Sequence, residues 1–224
     1  MWIREQEMFD ADELRELLAE LLDERHLFYG IGHVEDSSVF TRTFSVLVVV
    51  LIVQRHVKEP FLGAEEFRNL KVSLLRYYRD ENDLRGYVEE GGWAHAAAHG
   101  ADALNELVKC PESGVQVQLE VLEAIEDMLQ NRMWLFSEEE DERLATIVDT
   151  MITEERLGEA AVTSWLTGLS ECIDWTQDRR QRIASVNCKN FLRCLYFRRS
   201  REKRSGGILT ALLAAEAALN KFVR

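Results

Sequence analysis

The sequence predicts an all-α protein: an α/α superhelix of HEAT- or armadillo-like helical hairpins, with about nine helices. Three observations carry this. Only two prolines, Pro60 and Pro111, and 12 glycines interrupt 224 residues. Leu, Glu, Ala and Arg, all strong helix formers, dominate the composition. Apolar residues recur three and four positions apart in segment after segment. With 46% apolar and 30% charged residues, the chain has the make-up of a globular protein able to bury a core. It is read as one helical domain over residues 1–224.

Asp10 opens the first helix, Ala11 to Arg25, with Leu14, Leu17, Leu18, Leu21 and Leu22 on one face. The loop Tyr29 to His33 breaks it. Asp36, Ser37 or Ser38 caps the second helix, which ends near Lys58, before Pro60. This helix holds the longest apolar run, Phe44 to Val53, bracketed by Arg42 and Arg55. A bilayer span needs roughly 20 apolar residues, so the run is read as a fully buried core helix and no membrane is expected. A third helix follows Gly63, and a fourth runs from Trp93 to Lys109. The turn Cys110 to Gly114 leads to a fifth, with Val117, Val121, Leu122, Ile125 and Leu129 inward. Ser137 followed by three glutamates reads as a capping box for the sixth, its acid run placed where the helix dipole favours it. Thr153-Glu154-Glu155 caps a seventh. The eighth spans Thr176 to Ser200, and the ninth Ile208 to Phe222. Helical hairpins then begin near Ser37, Trp93, Glu138 and Thr176, at spacings bracketing the roughly 40–47 residues of HEAT and armadillo repeats. A closed orthogonal bundle is the alternative architecture.

Charge and cysteines narrow the function class. Net charge is −13. From Met1 to Ile173 there are 15 basic and 36 acidic residues, a net of −21, whereas Asp174 to Arg204 holds 10 basic and 3 acidic, a net of +7. The acidic body opposes nucleic acid as the main partner. The basic tract, with Arg182, Lys189 and Arg193 on one face, keeps local phosphate contact open. Cys110, Cys172, Cys188 and Cys194 show no CxxC spacing and the first residues are charged. The expected compartment is therefore the reducing cytoplasm.

The most site-like stretch is Arg85 to Asp102. His95, His99 and Asp102 stand at i, i+4 and i+7, which places them on one face of a helix beginning at Trp93. Two imidazoles and a carboxylate so spaced make a divalent-metal half-site or a ligand pocket. Further ligands would come from His33, His56, Asp83 or Glu89. Arg85, Tyr87 and Trp93 are pocket walls or loop anchors. The structural alternative has the histidines bonded to loop carbonyls and Asp102 bridged to Arg85. Ala96 occupies the position where a zinc metalloprotease carries its glutamate, so that mechanism does not apply. No phosphate loop, nucleophile elbow or dinucleotide fingerprint occurs.

Leu84-Arg85-Gly86-Tyr87, followed by Gly92-Trp93-Ala94-His95-Ala96-Ala97-Ala98-His99-Gly100-Ala101-Asp102, resembles a bacterial family known as domain of unknown function 2785. Pro60-Phe61-Leu62 fits the same pattern, and the likeness is most specific over Pro60 to Leu107. The resemblance implies a bacterial, cytosolic, helical protein and supplies no activity. The leading expectation is a non-enzymatic helical-repeat binding or scaffold protein with a protein or small-molecule partner and Arg85–Asp102 lining its groove. The alternatives are a metal-assisted hydrolase using His95, His99 and Asp102, and nucleic-acid contact through Arg179 to Arg204.

Overall fold

A computed structural model describes residues 9–171, 178–202 and 206–222. Cys172, Thr176 and the basic residues Lys203 and Arg204 lie outside them, as does the charged N-terminal stretch. Among the described residues the fold is mostly helical, with nine helices in antiparallel packing and one short hairpin. By contact the chain falls into two compact units, Met1–Val117 and Gln118–Arg224.

The first unit holds α1 (Ala11–Leu21), α2 (Ser38–Lys58), α3 (Ala64–Asp80), β1 (Tyr87–Val88), β2 (Gly92–Trp93) and α4 (Ala96–Lys109). Asp10 caps α1 as its sequence predicts: its Oδ1 accepts the Asp12 and Glu13 amides, and the Glu13 carboxylate accepts the Asp10 amide. The helix stops at Leu21 rather than Arg25. There Asp23 Oδ1 takes the amides of Arg25 and His26 at 2.7 and 3.0 Å, a local turn that competes with helix continuation. Glu66 closes the start of α3 by accepting the Gly63 amide at 2.6 Å.

α2 is the central helix of this unit, packed against α1 and α4. It is long and apolar enough to cross a membrane, yet over half of its apolar window is buried inside the fold. It is not buried all round: Phe44 is 60% exposed. Its interior carries two polar side chains that are fully buried and fully bonded. Arg42 makes a bidentate pair with Glu81, Nε–Oε2 2.6 Å and Nη2–Oε1 2.8 Å. Its remaining nitrogen donates to the carbonyls of Tyr29 and Gly30 and to Ser38 Oγ. His56 accepts the Phe61 and Leu62 amides on Nδ1, which places its proton on Nε2, facing Glu112 at 3.1 Å. α4 is thin by composition, and Ala97, Ala98, Gly100, Ala101 and Ala103 are all buried. That thinness serves close packing: a Cβ on Gly100 would lie 2.5 Å from the Tyr78 ring.

The second unit holds most of α5 (Val115–Leu129), then α6 (Glu140–Thr153), α7 (Glu159–Glu171), α8 (Arg179–Arg199) and α9 (Gly206–Leu219). α6 packs on α8, and α9 packs on both α7 and α8. The core between them is built from Leu144, Val148, Leu166, Phe191, Leu195 and Leu212. Two expected helix starts are corrected. The Ser137 capping box does not form, and α6 begins after Glu139, which is left-handed at φ 66° with no side-chain cap bond. Glu140 turns back instead to accept the Glu138 amide at 2.9 Å. The acid run continues toward α8, where Glu142 binds Arg198. Likewise Thr153 to Glu155 end α6 rather than cap α7. The Glu154 amide bonds the Thr150 carbonyl, and Glu155 takes φ 53°. Asn187, fully buried on α8, clamps the preceding loop: its amide donates to the Trp134 carbonyl and accepts the Phe136 amide, both at 3.0 Å.

Candidate ligand-binding surface

The hairpin between α3 and α4 corrects the expectation that helix starts at Trp93. Tyr87 pairs with Trp93 and Val88 with Gly92 in antiparallel register, and the Gly91 amide bonds the Val88 carbonyl at 3.1 Å to close the turn. Gly92 supplies the required positive φ, +83°. Gly91 is required by proximity, because a Cβ there would lie 2.2 Å from the Phe40 ring of α2. The Ala94 and His95 amides bond the Gly86 and Arg85 carbonyls at 2.9 and 3.0 Å. Ala94, Val39 and Ala96 pack beneath, with Phe40 and Val88 against them. The hairpin is thus nailed to α2 by packing and to Arg85 and Gly86 by backbone bonds.

Arg85 is itself anchored. Its Nε and Nη2 bind the carboxylate of buried Asp83 at 2.7 and 2.6 Å, and Nη2 also donates to the Asp36 carbonyl at 3.1 Å. The Asp83 carboxylate holds the guanidinium still more firmly protonated, against the opposing effect of burial. The alternative of an Arg85–Asp102 bridge is not taken: the arginine's charge is met by Asp83. The Asp83 amide in turn donates to Glu81 at 2.9 Å, which joins this anchor to the Arg42 pair. Burial raises the Glu81 carboxyl above its ordinary range even though Arg42 pulls the other way.

On this base stands a continuous ladder of rings. Tyr87 meets Trp93 edge-to-face at 5.2 Å between centroids, Trp93 stacks on His95 at 4.6 Å, and His95 meets His99 edge-to-face at 5.7 Å. Tyr87 is 56% and Trp93 49% exposed, a large apolar area for two residues held on a fixed turn. His95 is not on the helix. It is the N-cap of α4, left-handed at φ 51°, ψ 35°, a conformation costly for a side-chain-bearing residue and frequent at ligand sites. The even i, i+4, i+7 face therefore does not form, although the three side chains still follow one another. His99 Nδ1 lies 3.9 Å from Asp102 Oδ2, close enough for an ion pair and too far for a hydrogen bond. That nitrogen is buried with no hydrogen-bond partner.

Among the described residues no three His, Cys, Asp or Glu side chains group as a metal cage. Of the further ligands considered, His56 is locked by Phe61, Leu62 and Glu112, and Asp83 by Arg85. Glu106, one turn past Asp102, binds Gln54 and Lys109. On α8, Arg193, Arg198 and Arg199 pair with Glu216, Glu142 and Asp149. A cavity of about 780 Å³ lies in the second unit between Thr153, Glu159 and Arg199. Its lining runs to Glu202, at the edge of the described residues. The ladder is the stronger candidate because its chemistry is assembled and exposed, whereas Arg199 in that cavity is already bonded to Asp149 and Thr153.

Sequence reasoning missed Phe40, Arg42 and Glu81. The signal was present: an arginine within an apolar helix must find a buried partner. The hairpin's signal was the glycines at 86, 91 and 92 around two aromatics.

Fold and surface together define a class: a mostly helical protein with an exposed aromatic–imidazole ladder mounted on a short, well-anchored hairpin. Residues 27–197, more than half of the chain, match the family model described as protein of unknown function (DUF2785), and the chain belongs to that family. No curated protein and no solved structure matches it.

Proposed function

We propose that this is a non-enzymatic binding or scaffold protein, with a small molecule or a protein segment held on the Tyr87–Trp93–His95–His99 ladder. The single observation that carries the reading is the pair of half-exposed aromatics fixed edge-to-face on a two-stranded turn. Rigid aromatic area binds at low entropic cost. The His99 nitrogen and Asp102 would supply polar recognition at its buried end. Antiparallel helix pairs in each unit support a HEAT- or armadillo-type architecture. The buried, reduced thiols of Cys110 and Cys188 support a cytoplasmic setting.

The test is a ligand selection from peptide and small-molecule libraries, run in parallel on the wild type and on Tyr87→Ser/Trp93→Ser. Ligands of this surface should weaken by roughly tenfold or more in the variant, as loss of a contact hot spot does. Ligands that bind both proteins equally would place recognition elsewhere and overturn the proposal.

A metal-assisted hydrolase is the second reading, favoured by the convergence of His95, His99 and Asp102 on one partly exposed strip. It requires a thermal shift on adding zinc or manganese that His99→Ala abolishes, and a hydrolytic turnover that follows the metal.

A further inference from the structure

α8 presents Arg182, Ser185, Val186 and Lys189 at i, i+3, i+4 and i+7, on one side of the helix. With Lys221 and Phe222, which follow α9, they line a cavity of about 220 Å³. The two cations that α8 gives it differ from others on this helix. Arg193, Arg198 and Arg199 each meet a carboxylate within 3.1 Å. Arg182 and Lys189 have no ion-pair partner among the described residues. An independent observation comes from Ser185. It is only 2% exposed and its hydroxyl has no hydrogen-bond partner. Helical hydroxyls in the same unit satisfy themselves: Thr146 donates to the Glu142 carbonyl and Thr210 to the Gly206 carbonyl, both at 2.9 Å. Ser185 forgoes that bond and lines the cationic cavity with an unused donor.

We infer that this cavity binds a small phosphate monoester, its oxygens held by Arg182, Lys189, Lys221 and the Ser185 hydroxyl. Guanidinium and ammonium groups meet phosphate oxygens through charge-assisted bonds. Burial, and next the Arg193 and Lys221 charges, lower the Lys189 ammonium from its ordinary range, while Glu216 opposes them. A bound dianion relieves that crowding. Val186 and Phe222 give the cavity an apolar wall for the ester's organic group. The volume lies below the roughly 300–1,000 Å³ of drug-sized pockets, which selects a compact ligand.

The experiment is calorimetric titration of the full chain with inorganic phosphate, phenyl phosphate and a short oligothymidylate at fixed ionic strength and neutral pH. Phenyl phosphate should bind most tightly, inorganic phosphate next. Arg182→Gln and Lys189→Met should each weaken phenyl phosphate by roughly tenfold or more, the cost of one charge-assisted bond, and Ser185→Ala by about threefold. Arg68→Gln, on exposed α3 surface, should leave affinity unchanged. Arg182 is itself exposed, so its variant keeps the wild-type melting curve. Absence of phosphate binding, or binding indifferent to Arg182 and Lys189, would refute the site. Tighter binding of oligothymidylate than of phenyl phosphate would refute it in favour of a nucleic-acid surface.

Discussion

Arg42 holds a buried ion pair in the first unit. It is fully buried and spends its guanidinium on Glu81, two carbonyls and a serine. Replacing it by methionine keeps the volume and strands Glu81 without its counter-charge, which costs about 3–5 kcal/mol for a buried pair. The pH dependence has a definite sign. Burial already raises Glu81's carboxyl in the folded state, and losing Arg42 raises it further. A carboxyl whose folded value lies above its unfolded value contributes most to stability when protonated, and that contribution is lost as pH rises through the interval between the two. Denaturant melts should therefore show Arg42→Met losing more stability at pH 8 than at pH 5. Equal losses at both values would mean that Glu81 finds another cation. Cys194 behaves oppositely to a reactive thiol. Burial, with Asp141 and Glu142 alongside, pushes it far above the ordinary cysteine range. Alkylation at mildly alkaline pH should leave Cys194 unmodified in the folded chain and label it on unfolding.

Among the elements, α4 shows packing overruling propensity. Alanine at Gly100 gains up to about 1 kcal/mol of helix propensity. It also meets the rings of Tyr78 and Tyr77 at 2.5 and 3.3 Å, and overpacking costs typically 1–3 kcal/mol. Gly100→Ala should melt lower than the wild type, the reverse of the usual outcome in an exposed helix. Asn187→Leu tests the loop clamp in the second unit. It leaves the buried Phe136 amide and Trp134 carbonyl without their side-chain partner, a loss of about 1–3 kcal/mol, and should speed hydrogen exchange at Phe136. These elements also show what the sequence could convey. Helices were legible wherever an apolar face repeats, as in α1 and α3, because the pattern and the burial share one period. The hairpin was not, since two-residue strands are too short to alternate. The α6 start was not, because five consecutive acids offer several caps and the choice falls to Glu140's backbone bond and Glu142's pairing with Arg198. The ladder's residues were all legible, but their geometry was not. The i, i+4, i+7 face assumed a helix through His95, and the hairpin's pairing pulls that residue into a left-handed cap.

For the whole molecule the deciding quantity is charge and where it is spent. The chain carries 40 acidic against 27 basic residues, so polyanions meet net repulsion at long range. The most basic helix, α8, would be the exception, but its last turns are engaged: Arg193, Arg198 and Arg199 pair with carboxylates on α9 and α6. Nearer its start, Arg182 and Lys189 line the small cavity, and Arg179 and Arg180 stand exposed in the first turn. Each phosphate neutralised on a single strand steepens the salt dependence of binding by about 0.7 in log–log slope. Those four side chains set a slope no steeper than roughly −3. Fluorescence anisotropy of a labelled oligothymidylate, titrated across a salt series, should show weak binding with a slope at or below that magnitude, and Lys189→Met should reduce it by about one contact. A slope near −5 would require about seven phosphate contacts, more than those four cations supply, and would make the α8 face part of a wider nucleic-acid surface. A shallow slope leaves the protein's recognition with neutral and compact ligands, where an aromatic ladder and a small cationic cavity are each suited to act.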